Sequence, residues 1–243
     1  MSIFSLVVAR KDSKGLKNKV VQKIHDKYIF EYSIEYSLGL SSKIKREVLT
    51  VVSSDSEIIE QYCKENSILF TGRKPHLTSD VAQIEDVVYD AYEQVSKEFK
   101  YISLLYGNIP TRYSDEFLRA FEFLEDNPEY DAVLSMQNVE KYNPAWMFEL
   151  EEDALPAKSQ QGYRRQDLKQ YMIHDGHTVL TRSSYFIDFM KKDASRKMLF
   201  AAFGKTIKPM LNNQLIIDID TEKDLKLAEA FFRNYEKGRI KKG

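Results

Sequence analysis

With 243 residues, 36 Lys and Arg against 37 Asp and Glu, and a net charge of −1, the chain lacks the broad basic surface of a nucleic-acid binder. No apolar run approaches the roughly 20 residues that cross a bilayer, which excludes a membrane-spanning helix as an expectation. Cys63 is the single cysteine, so neither an intrachain disulfide nor a multi-cysteine metal centre is expected.

The chain opens on the apolar run Ile3–Ala9, which reads as a buried strand. The run is too short for a signal peptide and has no basic region before it or small-residue cleavage site after it, so a cytoplasmic protein is expected. Immediately after it, residues 10–19 carry Arg10, Lys11, Lys14, Lys17 and Lys19 against one acid, Asp12. Such a cationic loop at a strand's carboxyl end suits a polyanion, with backbone N–H groups around Gly15 and the Lys and Arg charges cradling phosphates. It is neither a Walker A loop nor a dinucleotide fingerprint. A solvated turn of lysines is the plainer alternative.

Strands then follow near Val48–Ser53, Ser67–Phe70, Tyr101–Tyr106 and Ala132–Met136, alternating with helical patterns near Ile29–Leu40, Ser56–Asn66, Ile84–Phe99 and Asp115–Asn127. This alternation predicts βαβ units, hence an α/β fold with a mainly parallel sheet flanked by helices, within one domain over residues 1–243. Ser54 with Glu57 has the spacing of a capping box for the second helix, and Thr221 with Asp224 offers a similar cap for the last one.

The rhythm breaks after Val139, and no further element is predicted before Ile216. Residues 140–175 form either an inserted lobe or a loop over one sheet edge. Within them, Arg164, Arg165 and Gln166 could fork onto a carboxylate or phosphate, or simply form a surface ion pair with Asp167. His174 and His177 flank Asp175-Gly176, a turn dipeptide, which argues against one shared metal face, while His25 and His76 read as surface residues. In Ile216–Thr221, strand alternation would set Asp218 and Asp220 on one face, about 7 Å apart, where they could share Mg²⁺. The alternative has Asp220 or Thr221 capping the helix and Asp218 exposed.

These constellations, in this order, resemble the acylneuraminate cytidylyltransferases. The family's opening pattern A-R-x-x-S-K-G-[LI]-x-x-K-N is similar to Ala9-Arg10, Ser13-Lys14-Gly15-Leu16 and Lys19 here; V-S-T-D-S to residues 52–56; R-P-x-x-L-A-S-D-T-A to Arg73 with 77–82; R-R-Q-D-L-P to 164–168; and S-I-D-I-D-T to 217–221. The resemblance runs over residues 3–232. It implies a Rossmann-like sheet and transfer of a cytidylyl group from CTP to the anomeric hydroxyl of a nonulosonic keto sugar acid, with release of pyrophosphate and Mg²⁺ as cofactor. It further implies that Arg10, Ser13, Lys14 and Lys19 hold the triphosphate. Arg73 and Ser79 would bind cytidine, and Asp218 and Asp220 the metal, with Asp218 also helping to deprotonate the hydroxyl. The 140–175 lobe would form a homodimer and carry Arg165 towards the neighbouring site.

Four departures stand out. Lys11-Asp12 precedes the Ser-Lys-Gly, Val20 replaces an Asn, and Ile173 replaces a cation. The acceptor-side L-L-Q-P-T-S-P-L-R becomes residues 104–112, with Tyr106 in place of a Gln and Asn108 two residues on. The acceptor could therefore be a modified nonulosonate, a different sugar or a small alcohol, and a non-catalytic nucleotide-binding relative is a further alternative.

Overall fold

A computed structural model of the chain describes residues 2–11, 15–79, 81–148, 164–192 and 200–236. The elements in chain order are β1 (Ser2–Ala9), β2 (Lys23–Ile24), β3 (Lys27–Tyr28), α1 (Ile29–Ile44), β4 (Glu47–Ser54), α2 (Glu57–Glu65), β5 (Leu69–Gly72) and α3 (Ile84–Val95). They continue with β6 (Tyr101–Tyr106), α4 (Ser114–Asp126), β7 (Ala132–Asn138), β8 (Met172–Arg182), α5 (Ser183–Lys191), β9 (Ile207–Leu211) and α6 (Glu222–Glu236). Seven strands form one sheet in the order β5-β4-β1-β6-β8-β7-β9. All neighbours pair parallel except β8, which runs antiparallel to both β6 and β7. The mainly parallel α/β sheet expected from the sequence is therefore present.

β1 is buried along its whole length because helices cover both faces of a parallel sheet. Phe4, Leu6 and Val8 point into the cluster with Val87, Val88 and Ala91 of α3 and Phe186 of α5. Val7 and Ala9 point the other way, against Phe30 and Ile34 of α1 and Ile59 of α2. Each fully buried Val, Leu, Ile or Phe among these contributes about 1.5–3 kcal/mol relative to exposure. Ser5 is satisfied within the core by Ser37 at 2.6 Å, and Ser37 in turn lies 2.9 Å from Thr50. Among the described residues no helix is long and apolar enough to cross a membrane.

Three expectations are corrected. Ser54 does not cap α2: it ends β4, and its hydroxyl accepts the Ser56 N–H at 3.0 Å, so the helix starts after Ser56. His174-Asp175-Gly176-His177 is not a turn but part of β8, where the register slips between Leu134 and Met136 of β7, and Gly176 takes φ +72° in that bulge. The acidic segment 216–220 is not a strand, although its burial alternates as a strand's would. β8, α5 and β9 were not predicted, and the first four residues of β8 lie within the 140–175 span, pairing with β7 up to His174. By contrast, Thr221 and Asp224 do form a capping box, the Thr221 N–H donating to Asp224 at 2.8 Å.

His177 is fully buried and its protonation state is dictated by its partners. Nε2 accepts the Tyr113 backbone N–H at 2.8 Å, so Nδ1 carries the proton and donates to Thr178 Oγ1 at 2.8 Å. Burial, with help from the Arg112 charge, holds its pKa well below the ordinary imidazole value. His174 is shifted the same way by burial. An unfolded chain then binds protons that the folded one refuses, so this stability is complete above the unfolded histidine pKa and is lost as pH falls below it. Thermal melts should therefore drop between about pH 7 and pH 5, with a shallower slope in His177→Gln. An unchanged slope would remove His177 as the cause.

Candidate active site

The chain reverses its direction of progress across the sheet between β1 and β6, and loops there diverge to leave a crevice. Arg10 follows directly on β1, and the loop start is pinned sideways, the Lys11 N–H donating to Asp55 Oδ1 beyond β4 at 2.7 Å. Gly15 returns so close to the far end of the chain that a Cβ on it would sit 2.4 Å from the Asp220 carbonyl oxygen. Only glycine fits there. Lys19 then opens a short 3₁₀ turn, and its side chain, 17% exposed, brings the ammonium to Asp220 Oδ1 at 2.5 Å. Val20, in the place of an expected Asn, is buried beneath the turn. Ser13 and Lys14 lie outside the described residues.

In place of a strand ladder, the acidic segment is held by one side chain and one backbone carbonyl of residues 108–111. The Ile217 N–H donates to Thr111 Oγ1 at 2.8 Å and the Ile219 N–H to the Asn108 carbonyl at 3.1 Å. Ile217 and Ile219 are buried against Phe231 and Phe232 of α6, which turns Asp218 and Asp220 outward. Asn108 Nδ2 donates to Asp218 Oδ1. The Asp218 carboxyl is pushed up to about 6, chiefly by burial and then by the Asp220 charge, with Lys19 and Arg112 opposing. Two hard carboxylates that repel each other in this way fit a divalent cation of the Mg²⁺ type, which takes one or two protein carboxylates plus phosphate oxygens. Among the described residues no group of three or more His, Cys, Asp or Glu could hold a metal, so Asp218 and Asp220 would act as a two-carboxylate site with water or phosphate oxygens beside them.

A cavity of about 220 Å³ opens beside this cluster, walled by Arg10, Lys19, Arg73, Ser79, Tyr106 and Asn108. Its floor is apolar, from Val8, Leu77 and Val87. Arg73 is tied to β4 through its N–H to the Ser54 carbonyl at 3.2 Å and Nη2 to the Ser53 carbonyl at 3.3 Å. Its Nε is buried without a hydrogen-bond partner, and burial draws the guanidinium pKa down to about 10. An unpaired buried donor at a cavity wall calls for an acceptor from a ligand. Ser79 Oγ donates to the His76 carbonyl at 3.2 Å at the rim.

Tyr106 in the cavity wall is backed by further rings. The Tyr106 ring lies 6.4 Å from His174, which packs edge-on to Phe200 at 4.9 Å. Burial pushes the Tyr106 phenol up to about 12, with Glu85 and Asp218 adding to it, so it stays neutral. His174 Nδ1 faces the Ser135 carbonyl at 3.0 Å and therefore bears the proton, leaving Nε2 buried and unpartnered. Asp175 is fully engaged, accepting from the His177 N–H at 2.9 Å and from Asn212 at 2.8 Å.

Six of the sequence-derived site residues thus line one cavity, with Asp218 and Asp220 at its edge. Arg164 and Gln166 are not brought to it: both are exposed, and Gln166 lines a separate cavity of about 340 Å³ with Asn138, Asn143 and Lys169. The Arg165 side chain lies outside the described residues. Sequence reasoning gave no role to Arg112, Ser33 or Asp55, since their bonds run mostly to backbone groups distant in sequence.

Comparison with known proteins places this geometry. The chain is 25% identical over 227 residues to N-acylneuraminate cytidylyltransferase of Streptococcus agalactiae serotype V, a match that covers 92% of the chain but 52% of that protein. The chain thus spans about half the length of that relative. It is 28% identical to post-translational flagellin modification protein B of Campylobacter coli, over 95% of both chains. It is also 29% identical over 178 residues to a Helicobacter pylori protein named pseudaminic acid cytidylyltransferase and UDP-2,4-diacetamido-2,4,6-trideoxy-beta-L-altropyranose hydrolase, covering 72% of the chain and 33% of that protein. In fold it is similar to CMP:2-keto-3-deoxy-manno-octonic acid synthetase complexed with CTP, with a TM-score of 0.73 at 13% identity over 97% of this chain and all of that one. The family model described as cytidylyltransferase matches residues 4–240, essentially the whole length over which the sheet and its cleft are built, and the chain belongs to that family.

Proposed function

We propose that the protein transfers the cytidylyl group of CTP to the anomeric hydroxyl of a nonulosonic keto sugar acid. The hydroxyl oxygen forms a bond to the α-phosphorus, the bond from that phosphorus to the bridging oxygen breaks, and pyrophosphate leaves. The observation that carries this reading is the meeting of Lys19 with Asp220, beside Asp218, at the edge of a cavity of about 220 Å³ walled by Arg10, Arg73 and Ser79. The named activities of the S. agalactiae and H. pylori relatives support it.

Arg10, Ser13, Lys14 and Lys19 neutralise the triphosphate, and Arg73 with Ser79 takes the cytidine, Arg73 Nε offering its spare N–H to a base or ribose acceptor. Asp218 and Asp220 would hold Mg²⁺, which offsets charge on the phosphates. Asp218, held by Asn108, suits receipt of the hydroxyl proton, directly or through water. Tyr106 and Asn108 face the acceptor. CTP as donor puts the work in the cytoplasm.

Tyr142, Met147 and Ile173, 64%, 51% and 60% exposed, cluster around a cavity of about 730 Å³, and this apolar face is the homodimer contact. It belongs to the 140–175 lobe, which carries Arg164, Arg165 and Gln166 to the partner's site.

A different sugar or small alcohol as acceptor is the second reading. It is favoured by Tyr106, which stands in the cavity wall where a Gln is expected. Pyrophosphate release from CTP with Mg²⁺, measured across nonulosonic acids, other keto sugar acids and sugar phosphates, tests both. Release is expected with a nonulosonic acid. Release only with a sugar phosphate selects the second reading, and tight CTP binding without release from any acceptor overturns both.

A further inference from the structure

Arg112 sits beneath the acceptor side of the cleft at 2% exposure. Its charge is solvated by backbone dipoles: Nη2 donates to the Tyr106 carbonyl at 2.7 Å, Nε to the Ile109 carbonyl at 3.1 Å, and Nη1 to the carbonyls of His177 at 2.5 Å and Gly176 at 3.3 Å. Ser33 Oγ lies 3.0 and 3.1 Å from the same Tyr106 and Ile109 carbonyls. A guanidinium buried in this way is expensive, and an apolar side chain of its size would fill the space at lower cost. What the guanidinium adds is a rigid fork that bridges two segments, the turn 106–109 and the bulge of β8.

That turn carries Asn108. Its first peptide is anchored where the Gly107 N–H donates to the Val8 carbonyl at 2.8 Å, and a Cβ on Gly107 would sit 2.9 Å from Ala9 Cβ. Its two flanking carbonyls are held by Arg112. Asn108, between them, points the other way and binds Asp218 through its amide and the Ile219 N–H through its carbonyl. We propose that Arg112 is a positioning residue for the reaction, fixing the turn 106–109 so that Asn108 holds Asp218 in place. The proposal rests on the cytidylyltransferase reading for its kinetic consequence but not for its structural one.

The test separates the fork from the charge. Arg112→Lys keeps the cation but cannot reach carbonyls on both sides. Turnover should fall about tenfold or more while the calorimetric Kd for CTP moves less than about threefold, because the donor-side residues are untouched. Amide hydrogen exchange at Ile109 and Ile219 should accelerate about tenfold, with no change in α2. Asn108→Ala combined with Arg112→Lys should cost no more than the worse single variant, since one acts through the other. Retained protection at Ile109 and Ile219, or losses that multiply in the double variant, would overturn the proposal. Should Arg112→Lys fail to fold, Ser33→Ala loosens the same carbonyls, and unchanged exchange at those two amides then counts against it. If the unaltered protein releases no pyrophosphate from CTP with any acceptor, the functional reading fails, and the exchange measurements alone decide the role of Arg112.

Discussion

Asp218→Asn removes CTP-dependent turnover by about a thousandfold or more while making the metal-free protein more stable above neutral pH. The two effects have one origin. Asp218 is held close to Asp220 with its carboxyl pKa raised to about 6, burial being the main cause. A carboxyl whose folded pKa lies above its unfolded one costs stability as it ionises: the cost is absent below the unfolded value, grows as pH rises between the two and is complete above about 6. An asparagine never ionises, and its side-chain oxygen still accepts the Asn108 amide. Melting temperatures compared at about pH 4 and pH 8 should therefore diverge only at the higher value, where the variant melts later. A variant that loses activity together with stability at both values would show that Asp218 serves packing rather than chemistry.

Lys19→Met lowers kcat/KM for CTP by about a hundredfold or more, and Lys19→Arg recovers part of that loss. The ammonium is the charge that the structure places between the cavity and the Asp pair. Without it, a polyanion must approach two uncompensated carboxylates. The fold should hardly notice, since a pair with Asp220 62% exposed is worth at most about 1 kcal/mol. Divalent-ion affinity in the absence of nucleotide should rise, because Lys19 no longer competes for Asp220. Steady-state kinetics over a CTP series, with Mn²⁺ titration of the nucleotide-free variant, checks both directions. Unchanged kcat/KM would remove Lys19 from the donor site.

Much of this architecture is legible in the sequence where a single periodicity rules an element. β1, β4 and β6 are short apolar runs, α1 and α3 carry a helical stripe, and their spacing alone yields a parallel sheet with a cationic loop at its switch point. β8 was missed because its bulge at 175–178 interrupts the alternation and places Asp-Gly, a turn signal, inside a strand. β9 is short and contains Pro209, which an edge strand tolerates but a sequence pattern does not advertise. For Asp218 and Asp220 the alternation was right and the element wrong, since Asn108 and Thr111 do the work of a neighbouring strand. Arg10, Lys19, Arg73, Ser79, Tyr106 and Asn108 converge on one cavity, whereas Arg112, the last residue of the 104–112 motif, has no role legible in the sequence because its backbone-carbonyl partners leave no mark in the residue order.

The contact of Gly15 and Lys19 with Asp220 also constrains when the cleft can exist. Lys19 and Asp220 are 201 positions apart, and the Asn108–Asp218 bond spans a further 110. Closing loops of such length carries an entropic cost that the packed sheet offsets. All seven strands of that sheet end by Leu211, before the acidic segment is reached. The sheet is therefore complete in sequence before the acidic segment, and local detachment of that segment would open the cleft while leaving the seven strands paired.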